Sequence, residues 1–469
     1  MAQQNALPTE SLVVCQDAQG NDLRGFPTRL TRHQVIFEIH GVEPVLRTSE
    51  VLNEFKVTVQ DRSVYSGRAL VTNLLNASTG TSCEVKLDEA GFTGPWFAPA
   101  KPSGLGFPDF LEDWQRLYRV LPEFKGAIVD MQSFLSELRL ALDQVELEVR
   151  SVPSDDRARL EREAVSNWSA QMLPAFNVLH ENLESISGTI PEELRPVHQV
   201  IAKRLLHPIV MCSPFAYRTF HKPLGYAGDY EMVNMIVRDP FEGGSLFAKV
   251  MNSWFLNQWP ARAHRNRIGY LKKILKQECI RGAREGRQIR ILNLGCGPAR
   301  EIQEFLAEEE VSNYAHFTLL DFNDETLRHA AQVLEDARRS HARRTAIVLQ
   351  RKSVQHVLRE ACRRAPTDSR KGYDLIYCAG LFDYLSDRVC RQLMSIFYDW
   401  LSPGGLLAAT NVDDRRPFRH MLEFVLDWHL IYRTSAQGSS LLPPEAQADA
   451  PPPSSDPTAV NIFVEARKN

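Results

Sequence analysis

The stretch Ile289–Phe305, reading Ile-Arg-Ile-Leu-Asn-Leu-Gly-Cys-Gly-Pro-Ala-Arg-Glu-Ile-Gln-Glu-Phe, restricts the fold more than any other part of the chain. An apolar run of strand type enters a turn carrying Gly295 and Gly297, then leaves as a helix with Ile302, Phe305 and Leu306 on one face. A strand, a glycine turn and a helix bring backbone N–H groups and a helix N-terminus to a ligand. Arg300 stands where a dinucleotide fingerprint has its third glycine, so the close helix packing of a NAD site is not encoded.

The pattern continues downstream. His316–Asp321 is a second apolar strand ending in a carboxylate, placed to accept both hydroxyls of a ribose. Thr345–Ser353 reads as a third strand and Tyr373–Ala379 as a fourth. A helical run from Val389 to Leu401, the turn Ser402-Pro-Gly-Gly405 and a fifth strand, Leu406–Asn411, complete the series. Strands alternating with helices predict a parallel, doubly wound α/β sheet.

Asn-Leu-Gly-Cys-Gly, a strand-end Asp, Tyr-Asp-Leu-Ile, and Leu-Ser-Pro-Gly-Gly before a strand, in that order, resemble a class I S-adenosylmethionine (SAM) dependent methyltransferase from about Arg265 onward. A wider likeness rests on His221–Met235 (His-Lys-Pro-Leu-Gly-Tyr-Ala-Gly-Asp-Tyr-Glu-Met-Val-Asn-Met), Gly380–Leu385 and Trp428–Arg433. With these the chain resembles the bacterial family of 3-hydroxypalmitic acid methyl ester biosynthesis. That resemblance implies a Rossmann-like domain and carboxyl O-methylation of a hydroxy fatty acid, giving a diffusible signal. It also implies a last strand, Ala459–Ala466, added antiparallel at the sheet end. For the cofactor it nominates Gly295, Cys296 and Gly297 at the methionine end and Asp321 at the ribose. Phe322 is expected at the adenine edge. Ser353 and Val354 stand where many relatives place an acid for the adenine amino group, and a serine departs from that pattern. Cys378, Ala379 and Gly380 are expected beneath the sulfonium, and Asp383 and Tyr384 in the loop that selects the acceptor.

Tyr217, His221, Tyr226, Asp229 and Tyr230 crowd together with Gly225 and Gly228 between them. Polar aromatics beside glycines suit a lid over a ligand, and equally a tyrosine-rich loop packed on the core. A carboxylate acceptor titrates near ~4 and needs no base, so Tyr226 and His221 would orient it. A phenol or amine acceptor would need a proton removed, with His221, Asp229 or Asp383 as candidates. Cys296, inside the turn, reads as a small filler rather than a nucleophile.

Other features bound the rest. At 469 residues the chain has room for two to four domains. A net charge of −3 gives no electrostatic reason to expect nucleic acid as substrate. Eight cysteines without a C-x-x-C pair fit reduced thiols and a cytoplasmic location. No secretory signal is expected at the N-terminus, and no apolar run reaches the roughly 20 residues of a membrane span. The thirteen histidines show no metal-ligand spacing, so no metal is expected.

Three domains are expected: a β-barrel over 1–98, a helical bundle over 99–208 and the methyltransferase domain over 209–469. In the first, Val35–Ile39, Phe55–Val59, Arg68–Leu74 and Cys83–Leu87 are short runs between turn residues, predicting five or six strands. Their order resembles a PilZ domain, which implies cyclic di-GMP binding through an Arg-rich entry and a D-x-S-x-x-G strand. Arg24, Arg29 and Arg32 lie near the first, but Asp61–Gly67 has one residue too many for the second. A scaffold or dimer-forming barrel is the plainer reading, and a homodimer one partner it implies. Phe97–Phe107 is a Pro/Gly linker. Helical spacing follows at Phe110, Trp114, Leu117 and Leu121, then from Ile128 to Val145, then from Trp168 to Leu183 with Pro174 expected to kink the last. These helices fill their own core, or form a dimer seam or an acyl groove. Met421–Arg433 is predicted as a further helix, and 436–457, rich in Pro and Ala without apolar periodicity, as a flexible insertion. Function is left between carboxyl methylation of a fatty acid, N- or O-methylation of another small metabolite, and a nucleotide-responsive signalling protein.

Overall fold

The computed structural model describes residues 11–31, 33–39, 45–77, 80–88, 91–92, 119–363, 372–415 and 418–469. The linker Phe97–Phe107, the positions Phe110, Trp114 and Leu117, and Arg32 lie outside these residues. Strands β1 (Ser11–Gln16), β2 (Asp22–Leu30), β3 (Gln34–Ile39), β4 (Val51–Val59), β5 (Arg62–Ala77) and β6 (Gly80–Leu87) close into an antiparallel barrel in the order β1-β2-β3-β6-β5-β4. Alternate residues turn inward, among them Val13, Val35, Phe37, Phe55, Val57, Tyr65 and Val85, and closure leaves no free edge. Gln60 and Asp61 both adopt positive φ and make the hairpin turn, while Arg62–Gly67 is already β5, paired with β4 through a register shift at Val57/Thr58.

Helices Pro122–Ser151 and Ser154–Gly188 pack Phe124, Ile128, Met131, Leu135 and Leu142 against Val165, Met172, Phe176 and Leu183, positions spaced by three and four. The second helix is continuous through Pro174. Helices Arg195–Val210, Pro214–His221, Tyr230–Val237, Leu246–Asn257 and Trp259–Arg284 lead to the sheet. The helical core also takes in Phe418, Leu422, Val425, Leu426 and Trp428 from near the C-terminus. No helix of the described residues is long and apolar enough to cross a membrane.

Strands β7 (Ile289–Leu294), β8 (Ala315–Asp321), β9 (Ala346–Arg351), β10 (Tyr373–Cys378), β11 (Leu401–Val412), β12 (Ser454–Ser455) and β13 (Asn461–Arg467) form a seven-stranded sheet in the order β12-β13-β11-β10-β7-β8-β9. The five strands from β7 to β11 are parallel and β13 pairs antiparallel with β11, as expected. Chain order reverses between β7 and β10, which opens the ligand crevice beyond their carboxyl ends.

Two expectations are corrected. The helix read over Met421–Arg433 spans only Arg419–Val425. Asp427 adopts a left-handed φ of 48°, tolerated by Asp, and its carboxylate pairs with Lys86 of β6 at 2.6 Å and Lys203 at 3.0 Å. Buried beside them, Lys222 is pushed down to about 7 and Lys86 to about 8, desolvation being the largest cause for each. The stretch 436–457 is no flexible insertion either. It forms short helices at Ser435–Ser439 and Pro444–Gln447, and Leu441, Leu442 and Ala446 enter the sheet core with Leu407 and Val464. A capping box between Thr434 and Gln437 starts the first turn.

The barrel also makes contact with the half of the chain that carries the parallel sheet. Thr48 N–H donates to the Tyr384 carbonyl at 3.1 Å and Val51 N–H to Gly225 O at 2.8 Å. Ser49 Oγ donates to His429 O at 2.9 Å and accepts from His429 N–H.

Candidate active site

One cavity of about 640 Å³ runs across the switch point of the sheet into the helical region. Its first wall is the turn after β7. Gly295 and Cys296 donate to Leu320 O at 2.8 and 3.2 Å, which ties the turn to β8. Gly295 (φ 74°) and Gly297 (φ 52°) hold backbone conformations that side chains rarely adopt, and a Cβ on Gly297 would meet nothing within 4 Å. The turn thus presents bare backbone to the cavity.

Asp321 ends β8, where its carboxylate accepts from Gly297 N–H at 3.2 Å and Asn323 N–H at 3.1 Å. Burial pushes its proton affinity up, opposed by those N–H groups and by Arg47. Phe322 lies against Tyr226, ring centroids 5.1 Å apart. Ser353 and Val354 line the same end, with Ser353 Oγ 2.9 Å from His356 Nδ1. Ala379 and Gly380 face the turn from the end of β10, whereas Cys378 lies in the sheet core and does not reach the cavity. Cys296 lines the wall, but burial drives its thiol well above the ordinary range, in keeping with a filler.

Elsewhere along the cavity, Tyr384 Oη accepts from Trp428 Nε1 at 3.0 Å and would stand 2.5 Å from a Cβ on Gly228. The Gly228 segment and the Asp383–Tyr384 turn therefore face each other. Asp383 accepts from Val412 N–H at 2.7 Å, and burial raises its carboxyl. Tyr226 and Tyr230 line the cavity, Tyr230 Oη donating to Glu325 at 2.8 Å.

Besides Cys378, three nominated residues stand elsewhere. On the helix Pro214–His221, Phe215, Ala216 and Thr219 face inward, so Tyr217 and His221 share the outer face and touch each other at 4.1 Å. Neither lines the cavity. Asp229 caps the helix Tyr230–Val237 through Met232 N–H and pairs with Arg218 at 2.8 Å, a bracing role.

Two arginines escaped the sequence reading because neither sits in a local motif. Arg267, on the helix Trp259–Arg284, is buried, 2.5 Å from His264 Nε2 and 4.0 Å from Asp383. Its guanidinium occupies the space a Cβ on Gly380 would need, at 2.7 Å. Arg47 comes from the barrel and stacks over Phe322 and Tyr226. The same cavity is also lined by the apolar side chains of Phe215, Ile236, Phe255, Phe418, Leu422 and Leu426.

Residues 292–407 match the family model described as a methyltransferase domain. No curated protein matches the chain. Among solved structures, a protein of Bordetella parapertussis described as a possible exported protein is 20% identical, covering 68% of this chain and 99% of its own, with a TM-score of 0.42. The SAM-dependent methyltransferase SibL, in its apo form, is 15% identical over 72% and 96%, TM-score 0.34. Magnesium protoporphyrin IX methyltransferase of Synechocystis PCC 6803, with bound SAM, is 11% identical over 45% and 85%, TM-score 0.31. The cavity itself fits the cofactor. It offers bare glycine backbone and a strand-end carboxylate, together with Asn293 Oδ1 and Arg47 Nε and Nη2, three buried atoms that make no hydrogen bond among the described residues. The chain thus carries a methyltransferase domain over residues 292–407, and the crevice this domain opens has a composition that S-adenosylmethionine would fit.

Proposed function

We propose that the protein methylates the carboxyl group of an elongated apolar acid, a fatty or hydroxy-fatty acid, to its methyl ester. The observation that carries this is the apolar chamber between Phe215, Phe255, Phe418, Leu422 and Leu426, continuous with the cofactor crevice. The resemblance of His221–Met235, Gly380–Leu385 and Trp428–Arg433 to the hydroxypalmitate methyl ester family supports the same class. Bound SAM supplies the electrophilic methyl group. The chain's own contribution is position and dryness. In this reading the Gly295–Gly297 backbone and Arg267 hold the methionine end, with Arg267 opposite its carboxylate, while Asp321 accepts the ribose hydroxyls and Phe322 covers the adenine.

Burial raises the phenols of Tyr226 and Tyr384, so both stay protonated at neutral pH and orient rather than deprotonate. Tyr432 Oη lines the chamber without a hydrogen-bond partner among the described residues and would take a hydroxyl on the chain. The test is mass spectrometry after incubation with methyl-labelled SAM and acids of graded chain length. Labelled methyl esters are expected, with a rate flat from about pH 6 to 8 because a carboxylate is already ionised there. Label on amines or phenols only, or a rate climbing tenfold per pH unit, would replace this reading with an acceptor that must lose a proton.

Asp321→Ala is expected to weaken SAM binding by about 1–3 kcal/mol, the usual cost of a lost acceptor, and somewhat more because Gly297 N–H loses its brace. Calorimetric titration checks it; unchanged affinity removes Asp321 from the cofactor site.

A further inference from the structure

We propose that Arg47, a barrel residue, completes the cofactor site by donating a hydrogen bond to a ring nitrogen of the adenine. The proposal rests on the SAM assignment. Arg47 lies between β3 and β4, where the neighbouring Leu46 is buried in the barrel core. Its side chain leaves the barrel and enters the methyltransferase crevice. The guanidinium sits 4.2 Å from the Phe322 ring centroid and 4.8 Å from that of Tyr226. Phe322 directly follows Asp321, so the guanidinium stands beside the carboxylate assigned to the ribose.

Arg47 is only 7% exposed, and its Nε and Nη2 donate no hydrogen bond. Glu50 comes no nearer than 3.5 Å to Nε, and its oxygens already accept from Ala18 N–H at 2.9 Å and Arg47 N–H at 3.0 Å. A buried guanidinium with idle donors is costly unless a ligand supplies acceptors. The acceptor is constrained in kind. Asp321 already brings a negative charge, so a second anion would be repelled, whereas a planar heterocycle with in-plane nitrogen lone pairs suits a flat, rigid donor fork. The fork is also held in place. Thr48, Ser49 and Val51 are hydrogen-bonded to Tyr384, His429 and Gly225, so the backbone on the C-terminal side of Arg47 cannot drift from the crevice. Facing Asp321, Arg47 opposes the upward push of burial on that carboxyl and favours its ionised, accepting form.

The experiment is calorimetric binding of S-adenosylhomocysteine, with no turnover involved, to the wild-type protein and Arg47→Met. Analogues in which one adenine ring nitrogen at a time is replaced by C–H are titrated alongside. Arg47→Met should bind S-adenosylhomocysteine about tenfold or more weakly, as loss of a hydrogen bond from a charged donor implies. One carbon analogue should weaken wild-type binding to a similar degree and cause no further loss in Arg47→Met. Affinity within twofold of wild type in a folded Arg47→Met, or analogue losses equal in both proteins, overturns the proposal. If Arg47→Met does not fold, the wild-type series decides alone, and no loss with any analogue overturns it. Failure of the wild-type protein to bind S-adenosylhomocysteine would instead remove the cofactor assignment beneath it.

Discussion

Removing residues 436–457 should abolish the native fold rather than trim a loose loop. The segment contributes Leu441, Leu442 and Ala446 to the core beneath β11 and β13, and Gly438 packs close to Ile462 and Val464. It also contains β12, which pairs with β13, and Asp456 just beyond it accepts from the backbone N–H groups of Thr458, Val460 and Asn461. Leu441→Ala and Leu442→Ala should each cost about 2–5 kcal/mol, the range for emptying a buried leucine site. Urea unfolding of each variant measures this. A deletion protein that melts near the wild-type temperature would show that the two leucines do no core packing.

Arg433→Met should cost about 2–5 kcal/mol, since each carbonyl stranded without its donor costs about 1–3 kcal/mol. Arg433 is 1% exposed and donates to Phe382 O at 2.8 Å, Leu385 O at 2.6 Å and the Asn411 side chain. Its ion pair with Asp387 adds little, because that carboxylate is well exposed. The residues it holds flank Asp383 and Tyr384, so the variant should also raise KM for the acceptor more than it weakens SAM. Denaturant titration together with steady-state kinetics reads both effects. A loss below about 1 kcal/mol would mean that water replaces the guanidinium at no cost.

The catalytic sheet was legible because its strands are continuous apolar runs and its turn uses glycines that positive φ requires. The strand-end carboxylate Asp321 followed from the same pattern. What stayed hidden has physical causes. Tyr217, His221 and Asp229 are near Tyr226 in sequence, but Tyr217 and His221 are four apart on a helix and share its outer face, while Asp229 is spent on a cap. Arg267 and Arg47 reach the crevice across long sequence distances, and an isolated basic residue has no periodicity to betray it. In 436–457 the prolines obscured two signals that were present, the Thr434-x-x-Gln437 capping box and the adjacent Leu441–Leu442 pair.

The hydrogen bonds from Thr48, Ser49 and Val51 to the far half of the molecule have a thermodynamic consequence. A ligand that bound the barrel and shifted this backbone would change the affinity for SAM by some factor. Reciprocity then requires bound SAM to change the affinity for that ligand by the same factor. On that condition the occupancy of one region would be readable at the other.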